Sequence, residues 1–496
     1  MVWTLLAAAI CVFVFHARIY WGWTEDDAFI TFRYAQNLAG GRGLVFNPGE
    51  RVEGYSNPSL LLISAAALRA GLDPVIVAKW LGLAAGALCL LLSWLLARRM
   101  AQDAPLAALV APFYLAVSPA LARHAVTGLE TTLFALLLTA GVLLAAGDRS
   151  PLRRALFLVI ALLISITRPE GPAFALFLLV AGAVIRGRGP GGSRRGDWAE
   201  PGILVLFLAA YASWRWSYFG SFFPNAYYAK VQGGVSGIID GAQYTLDFLR
   251  DAGGPFLAGL ALVTALVGCA TAAYGVALAC LVLYVAFIIV SGGDWMFHYR
   301  FFAHVLPVAS ACMAAGIASI VALAMGLARR GRVLLYACLA FLLGVTCLSV
   351  GNTELRVARM VLPALEERTY LSQSYEALGR WFHENSAPEA TVAISDIGAV
   401  GYYSGRRVID MFGLIDRRIA RIKGRMHYKA DPQYVLSRNP DYIVLVSSSS
   451  AGIRPSFLRI PDRVMSAEPA FTSRYELVRT VPLHWQNESV GIYKLR

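Results

Sequence analysis

Long apolar runs separated by short polar connections fill the chain from residue 2 to about residue 351, and the pattern then changes. A bilayer core needs about 20 consecutive apolar residues per helix. Spans are expected at about 2–21, 75–97, 104–122, 128–147, 153–168, 171–187, 201–219, 254–273, 274–291, 303–327 and 332–351, eleven in all, with a short re-entrant or interfacial helix at 58–71. From Asn352 onward the pattern is that of a soluble α/β module. A helical region is expected over about 355–384, where Tyr375, Leu378, Trp381 and Phe382 recur at helical spacing. "TVAISD" (391–396) and "DYIVLVS" (441–447) read as buried strands, "RYELVRTVPL" and "VGIYKLR" as later ones, with Gly398, Gly401, Gly405 and Gly413 marking turns. The fold class is therefore an α-helical polytopic membrane protein over 1–351, with a first outer loop at 22–57, and a C-terminal α/β domain over 352–496.

Composition agrees with this division. The 496 residues are 57% hydrophobic and 15% charged, with a mean hydropathy of +0.57, whereas soluble domains are nearer a quarter charged. The net charge of +13 does not indicate nucleic acid, because much of the excess lies in short loops between apolar runs. The seven cysteines all fall in or beside apolar segments without zinc-like spacing, so no disulfide framework is indicated. The N-terminus has no basic leader region and no small-residue cleavage site, and reads as a retained first helix.

Charge placement sets the expected topology. The basic loops at Arg98-Arg99, at Arg149, Arg153 and Arg154, at Arg186, Arg188, Arg194 and Arg195, and at Arg329, Arg330 and Arg332 are taken as cytoplasmic. The opposite face then collects "TEDDAFITFRYAQ", "RHAVTGLE", "TRPEGP", "FPNAYYAK", "GGDWMFHYRFF" and the C-terminal domain. The Gly-rich "RGRGPGGSRRGDW" (186–198) has no preceding strand and no following GKS/T, and reads as a flexible cytoplasmic loop.

On the outer face the candidate chemistry centres on Asp26 and Asp27. A helix start explains part of the acidity, with Thr24 as N-cap, Asp27 three residues on, and Glu25 left to capping and solvent. Three acids at a membrane boundary exceed that need. A shielded carboxylate can act as general base, and adjacent carboxylates are candidates for a divalent cation such as Mg²⁺, Mn²⁺ or Ca²⁺. In "GGDWMFHYRFF", an interfacial aromatic belt explains Trp295, Phe297 and Tyr299 better than it explains Asp294, His298 and Arg300. Arg300 suits a phosphate and His298 suits assistance to a leaving group. Asn225, Tyr228 and Lys230 in "FPNAYYAK" suit sugar hydroxyls and phosphate, with interfacial anchoring as the alternative for the tyrosines. Arg168 and Glu170 in "TRPEG" read either as substrate contacts or as a salt-bridged, Pro-terminated helix end; His124, Thr127 and Glu130 read first as a packed polar loop. Asn57 sits in a turn entering the next helix and is a further ligand candidate, and Asp396 at a strand end is the most site-like residue of the C-terminal domain.

Taken together, "DDAFITFRYAQNLAGGRGLVFNPGERVEGYSNP", "TGLETTLF", "TRPEG", "FPNAYYAK", "GGDWMFHYRFF" and "DIGAVGYYSGRRVIDMFGLID" resemble the GT-C class of lipid-phosphate-dependent glycosyltransferases, and within it the AftB-like family of mycobacterial terminal arabinofuranosyltransferases. The resemblance implies a GT-C-like fold and a polyprenyl-phosphate sugar donor. It implies transfer to a glycan or glycoprotein acceptor outside the bacterial cytoplasmic membrane, and catalytic acids at Asp26 and Asp27. Direct displacement by one carboxylate base implies inversion at the anomeric carbon. The alternatives are a protein or pilin glycosyltransferase of the same fold, an oligosaccharyltransferase, a lipid-linked sugar transporter or flippase, and an assembly protein acting through its C-terminal domain.

Overall fold

The structure is a computed structural model. It describes residues 1–100, 106–148, 150–188, 192, 195–230, 234–251, 271–327, 372–424, 426–448, 456–457, 459–483 and 488–496. The expected span at 332–351, the basic loop at 329–332, residues 254–270 of the span expected at 254–273 and residues 355–371 of the helix expected over about 355–384 lie outside these residues.

Where apolar runs were long enough, helices formed with nearly the expected limits. Among the described residues, Val2–Ile19, Pro74–Met100, Gly171–Arg188, Ala272–Ser291 and Arg300–Ser319 are long and apolar enough to cross a membrane. Pro58–Arg69, Ala107–Ala116 and Thr131–Ala145 are shorter apolar helices, and helices also cover Pro151–Thr167 and Ala199–Phe219. The span expected at 104–122 is broken: one helix ends at Ala116, and Pro119–His124 starts another. Ser118 is extended (φ −79°, ψ 117°), as the residue before a proline tends to be. Two further helices, Asn225–Lys230 and the amphipathic Val235–Asp251, occupy sequence expected to be loop or left unassigned.

The chain divides into two compact units. One comprises Met1–Trp21, Ala78–Ala210 and Gly234–Val361; the other comprises Gly22–Val77, Tyr211–Gly233 and Leu362–Arg496. The first outer loop and the segment around "FPNAYYAK" thus belong with the C-terminal segment.

The second unit is built on a sheet of strands β1 (Thr391–Ile394), β2 (Arg407–Asp410), β3 (Tyr442–Ser448), β4 (Ser456–Phe457), β5 (Tyr475–Leu483) and β6 (Glu488–Leu495), in the order β2-β1-β3-β6-β5 with β4 on β3. β1 pairs in parallel with β2 and with β3, whereas β6 runs antiparallel to both β3 and β5. Ala393, Ile409, Ile443 and Leu445 face a core completed by Ile419, Val435, Met465 and Phe471. The chain leaves β1 for β2 on one side and later returns to β3 on the other. The carboxyl end of β1 is therefore a topological switch point, where open α/β sheets place their ligands. Ser395 and Asp396 follow β1 there.

A helix, Gly398–Ser404, connects β1 to β2 and packs on the helix Asp26–Ala39. The approach is so close that a Cβ on Gly398 would lie 1.9 Å from the Asp26 carbonyl oxygen and 2.7 Å from its carboxyl carbon. Neither atom is the tip of a flexible side chain. Gly398→Ala is expected to cost about 3 kcal/mol, the upper end of ordinary overpacking, read as a lowered melting temperature in detergent; a melt within 1 °C of the parent would contradict this packing.

Candidate active site

The helix Asp26–Ala39 begins at Glu25, whose side chain makes no capping bond to the helix. Thr24 does not serve as N-cap, and Glu25 is 4% exposed rather than left to solvent. The two following acids have different surroundings. Asp26 accepts hydrogen bonds from the backbone N–H groups of Gly398 (2.9 Å, to Oδ2) and Ala399 (2.8 Å, to Oδ1). Both of its oxygens are thus engaged in holding one segment of the unit to another. Asp27, partly exposed, accepts from the Lys230 ammonium at 2.9 Å. Of the pair, Asp27 has the side chain better placed to meet a substrate.

Lys230 is the last residue of the short helix Asn225–Lys230, and both ends of that helix are anchored. Asn225 Nδ2 donates to the carbonyls of Gly413 (2.8 Å), Leu414 (3.1 Å) and Asp416 (3.2 Å), and its backbone N–H donates to Glu53 O (2.7 Å). Asn225 is thus a fastening residue in this structure. The 411–416 turn that offers those carbonyls is organised by buried Asp410, which accepts from the N–H groups of Phe412, Gly413 and Ile415. At the other end, buried Lys429 donates to Tyr228 O, Ala229 O and Ala420 O. The Tyr228 ring lies under the Arg421 guanidinium, 5.4 Å away. Asn57 precedes the helix Pro58–Arg69 and accepts from Thr31 Oγ1 at 2.8 Å, joining two elements of the first loop.

Beside these residues, the carboxyl end of β1 carries a second charged group. Asp396 accepts from Tyr375 Oη (2.6 Å) and pairs with Arg459 at 2.5 Å. Arg459 and His427 each contact the ring of Phe412. The Asp396 carboxylate also acts on Asp26: desolvation first, then Asp396 and then Asp27, push the Asp26 pKa up to about 7 against the two N–H bonds. Burial pushes His427 below its ordinary value, with the Arg459 charge acting in the same direction.

Two structural acids behave like Asp26. Burial raises Asp410 to about 7 and Asp462, which accepts from Ser395 and from the Val446 N–H, to about 6. A carboxyl whose folded pKa lies above its unfolded value of 3.8 binds its proton more tightly when folded. Its stability contribution is full below the unfolded value and is lost as pH rises through the folded one. These acids therefore contribute a melting temperature that rises on acidification from about pH 8 to about pH 5, while buried His427, whose pKa is lowered, acts in the opposite sense. Asp410→Asn should remove up to one proton from that slope, about 1.4 kcal/mol per pH unit at most. A variant with the parent's slope would contradict the assignment.

The remaining candidates lie in the other unit. Arg168 donates to Glu130 Oε1 and to Glu170 Oε1, each at 2.5 Å, and all three side chains are buried. Tyr284 Oη donates to Glu170 (3.0 Å) and lies 2.6 Å from His304 Nδ1. Arg300 grips Asp294 through Nε (2.7 Å) and Nη2 (3.2 Å), and both are nearly buried. Each arginine is thus matched by carboxylates. Between them, His298 (φ 59°) and Tyr299 (φ 53°) hold left-handed backbone conformations that bulky residues seldom adopt. His298 lies edge-on to Tyr20 at 5.9 Å, and Phe297 O accepts from Arg123 and faces His124 Nε2 at 3.2 Å.

The sequence candidates accordingly divide, with Asp26, Asp27, Asn57, Asn225, Tyr228 and Lys230 in one unit and Arg168, Glu170, Asp294, His298 and Arg300 in the other. Sequence reasoning missed Lys429, Arg459, Tyr375 and His427; only the neighbouring Asp396 carried a signal, its place at a strand end. A cation was expected at Asp26 and Asp27, and the oxygens of this pair already have protein partners. Both Asp26 oxygens accept from backbone N–H groups, Asp27 Oδ2 accepts from Lys230, and no group of three or more His, Cys, Asp or Glu among the described residues could hold an ion.

The fold class is the expected one, a chain of several apolar helices long enough to cross a membrane with a C-terminal sheet. It is shared with crystal structures of ArnT from Cupriavidus metallidurans. The form bound to undecaprenyl phosphate matches with a TM-score of 0.55 and 14% identity, over 99% of this chain and 97% of that one. The apo form matches with a TM-score of 0.56 and 12% identity, over the same shares. At such identities the likeness is one of fold. Residues 366–493 match a family described as a domain of unknown function, DUF8728. Comparison with curated protein sequences gives no match.

Proposed function

We propose that this chain is a membrane glycosyltransferase that moves a sugar from a polyprenyl-phosphate donor to a cell-envelope glycan on the outer face of the cytoplasmic membrane. The observation that carries the reading is the Asp27–Lys230 pair, a proton acceptor in contact with an ammonium on a partly open surface. The ArnT fold, seen with undecaprenyl phosphate in one of its crystal structures, supports a lipid-phosphate donor. The sequence resemblance supports D-arabinofuranose as the sugar.

In this reading Asp27 takes the proton of the acceptor hydroxyl as its oxygen attacks the anomeric carbon. The bond to the phosphate oxygen breaks, and the electron pair leaves with the polyprenyl phosphate. That leaving group is a stable anion, so no acid need protonate it, while Lys230 can turn from Asp27 to pair with it. One displacement by one base inverts the anomeric centre. No step runs through a metal.

The test is transfer from a panel of defined polyprenyl-phosphate sugars to a cell-envelope glycan, with and without EDTA. The reading predicts that one donor is consumed, arabinofuranosyl first among them, at a rate EDTA leaves unchanged. Transfer that stops in EDTA and returns with a divalent cation would overturn the metal-free step; inertness towards every donor would overturn the class.

A further inference from the structure

The match at residues 366–493 names no role for that module, and the contacts of the second unit supply one. Three separate connections run from it to the two helices that carry the Asp27–Lys230 pair. Gly398 and Ala399 hold the Asp26 carboxylate, and Asp26 is the residue that precedes Asp27 in its helix. The carbonyls of Gly413, Leu414 and Asp416 hold Asn225 at the first position of the helix that ends in Lys230.

The third connection is Lys429. Its ammonium, 2% exposed, donates to Tyr228 O at 2.8 Å, to Ala229 O at 3.1 Å and to Ala420 O at 2.7 Å. Three donors meet three acceptors, so each N–H of the ammonium has a carbonyl partner. Its partners in the short helix are the carbonyls of the two residues before Lys230. A six-residue helix has no stability of its own, because nucleation is unfavourable and most helices this short depend on tertiary contacts. The course of its last turn, and with it the direction of the Lys230 side chain, is set by what holds its carbonyls. A neutral side chain at 429 would take the ammonium donor away from all three carbonyls.

We propose that the 366–493 module is the scaffold of the catalytic pair, with Lys429 as positioning residue for Lys230 and Asp26 as positioning residue for Asp27. The role rests on the reading of Asp27 and Lys230 as the reacting pair. The module then acts by geometry, and its loss would be felt as a misplaced ammonium rather than as a missing substrate contact.

The test uses the full chain in detergent and reads the pair itself. Lys230 is one-third exposed, so a water-soluble amine-acylating reagent reaches it, and its ion pair with Asp27 slows the reaction. Labelling of Lys230, followed by mass spectrometry, is expected to speed up several-fold in Asp27→Asn, which breaks the pair directly. Lys429→Met should raise it by a similar factor, and Lys429→Arg, which keeps a cationic donor, should return it towards the parent rate. Both are compared at a temperature where melting curves show the fold intact. If Lys429→Met does not fold, Asn225→Ser, which releases the opposite end of the same helix, is read in its place. Lys230 labelling at the parent rate in these variants would overturn the proposal, as would a parent rate in Asp27→Asn. If labelling behaves as expected but the parent transfers no sugar, the scaffold stands and the transferase reading falls.

Discussion

Asp27→Asn is expected to reduce sugar transfer by about 10²–10⁴-fold, the usual contribution of a positioned general base, while the protein remains folded. Asn keeps the shape and the hydrogen-bonding reach of Asp but cannot take up the acceptor proton. The stability loss should be small. Asp27 and Lys230 are both partly exposed, and such pairs contribute between about 0 and 1 kcal/mol. The effect should fall on kcat rather than on donor KM, since the base acts on the acceptor hydroxyl. Asp26→Asn is the informative companion. It keeps one acceptor for the Gly398 and Ala399 N–H groups and loses the other, so its defect should be smaller and accompanied by lower stability. A kinetic assay with a saturating donor, beside a melting curve, separates the two. Near-normal turnover in Asp27→Asn would remove the base.

The largest stability effect is expected at Arg168. Its guanidinium lies between Glu130 and Glu170, with the Phe301 ring 5.4 Å away, and all three charged side chains are buried. Arg168→Met replaces the side chain by one of similar length and leaves two carboxylates buried without their counter-charge. Removing one partner from a buried ionic network costs about 3–5 kcal/mol. Arg168→Lys should fall between, because a single ammonium cannot reproduce the fork that serves two carboxylates at once. Thermal unfolding in detergent gives the measurement, and a shift in Arg168→Met equivalent to less than about 1 kcal/mol would contradict the network.

What could be read from the sequence follows from what each signal depends on. Apolar length alone sets a spanning helix, so Val2–Ile19, Gly171–Arg188 and Ala272–Ser291 lie within a few residues of their expected limits. β1, β3, β5 and β6 were visible as β-branched or alternating runs between turn residues, whereas β2, the four residues Arg407–Asp410, was too short to stand out. The broken span at 116–119 was marked by Ser118-Pro119, a local signal overridden by the length of the apolar run.

The site was legible by residue type and not by partner. Asp26 and Asp27 are adjacent in sequence, yet their partners come from residues 398–399 and from residue 230. No periodicity encodes bonds of that range. Lys429 had no signal at all, because a lysine in a polar stretch reads as solvated until the carbonyls it meets are known. Arg168 was open between substrate contact and salt bridge, and Glu130, nearly forty positions earlier, supplies the partner that completes the buried group. For Asn225 and Asn57 the polar side chains that suggested a ligand are used to fasten the unit's own backbone and side chains.

The central claim is that this chain cleaves a lipid-phosphate sugar and passes the sugar on. It is tested most directly with the purified full chain in sealed vesicles, supplied with a defined polyprenyl-phosphate sugar and a soluble glycan acceptor, by quantifying both products over time. The account predicts that free polyprenyl phosphate and glycosylated acceptor appear in equal amounts, with the anomeric configuration inverted and both products absent in Asp27→Asn. Donor that crosses the vesicle membrane intact, with its sugar–phosphate bond uncleaved, would contradict it.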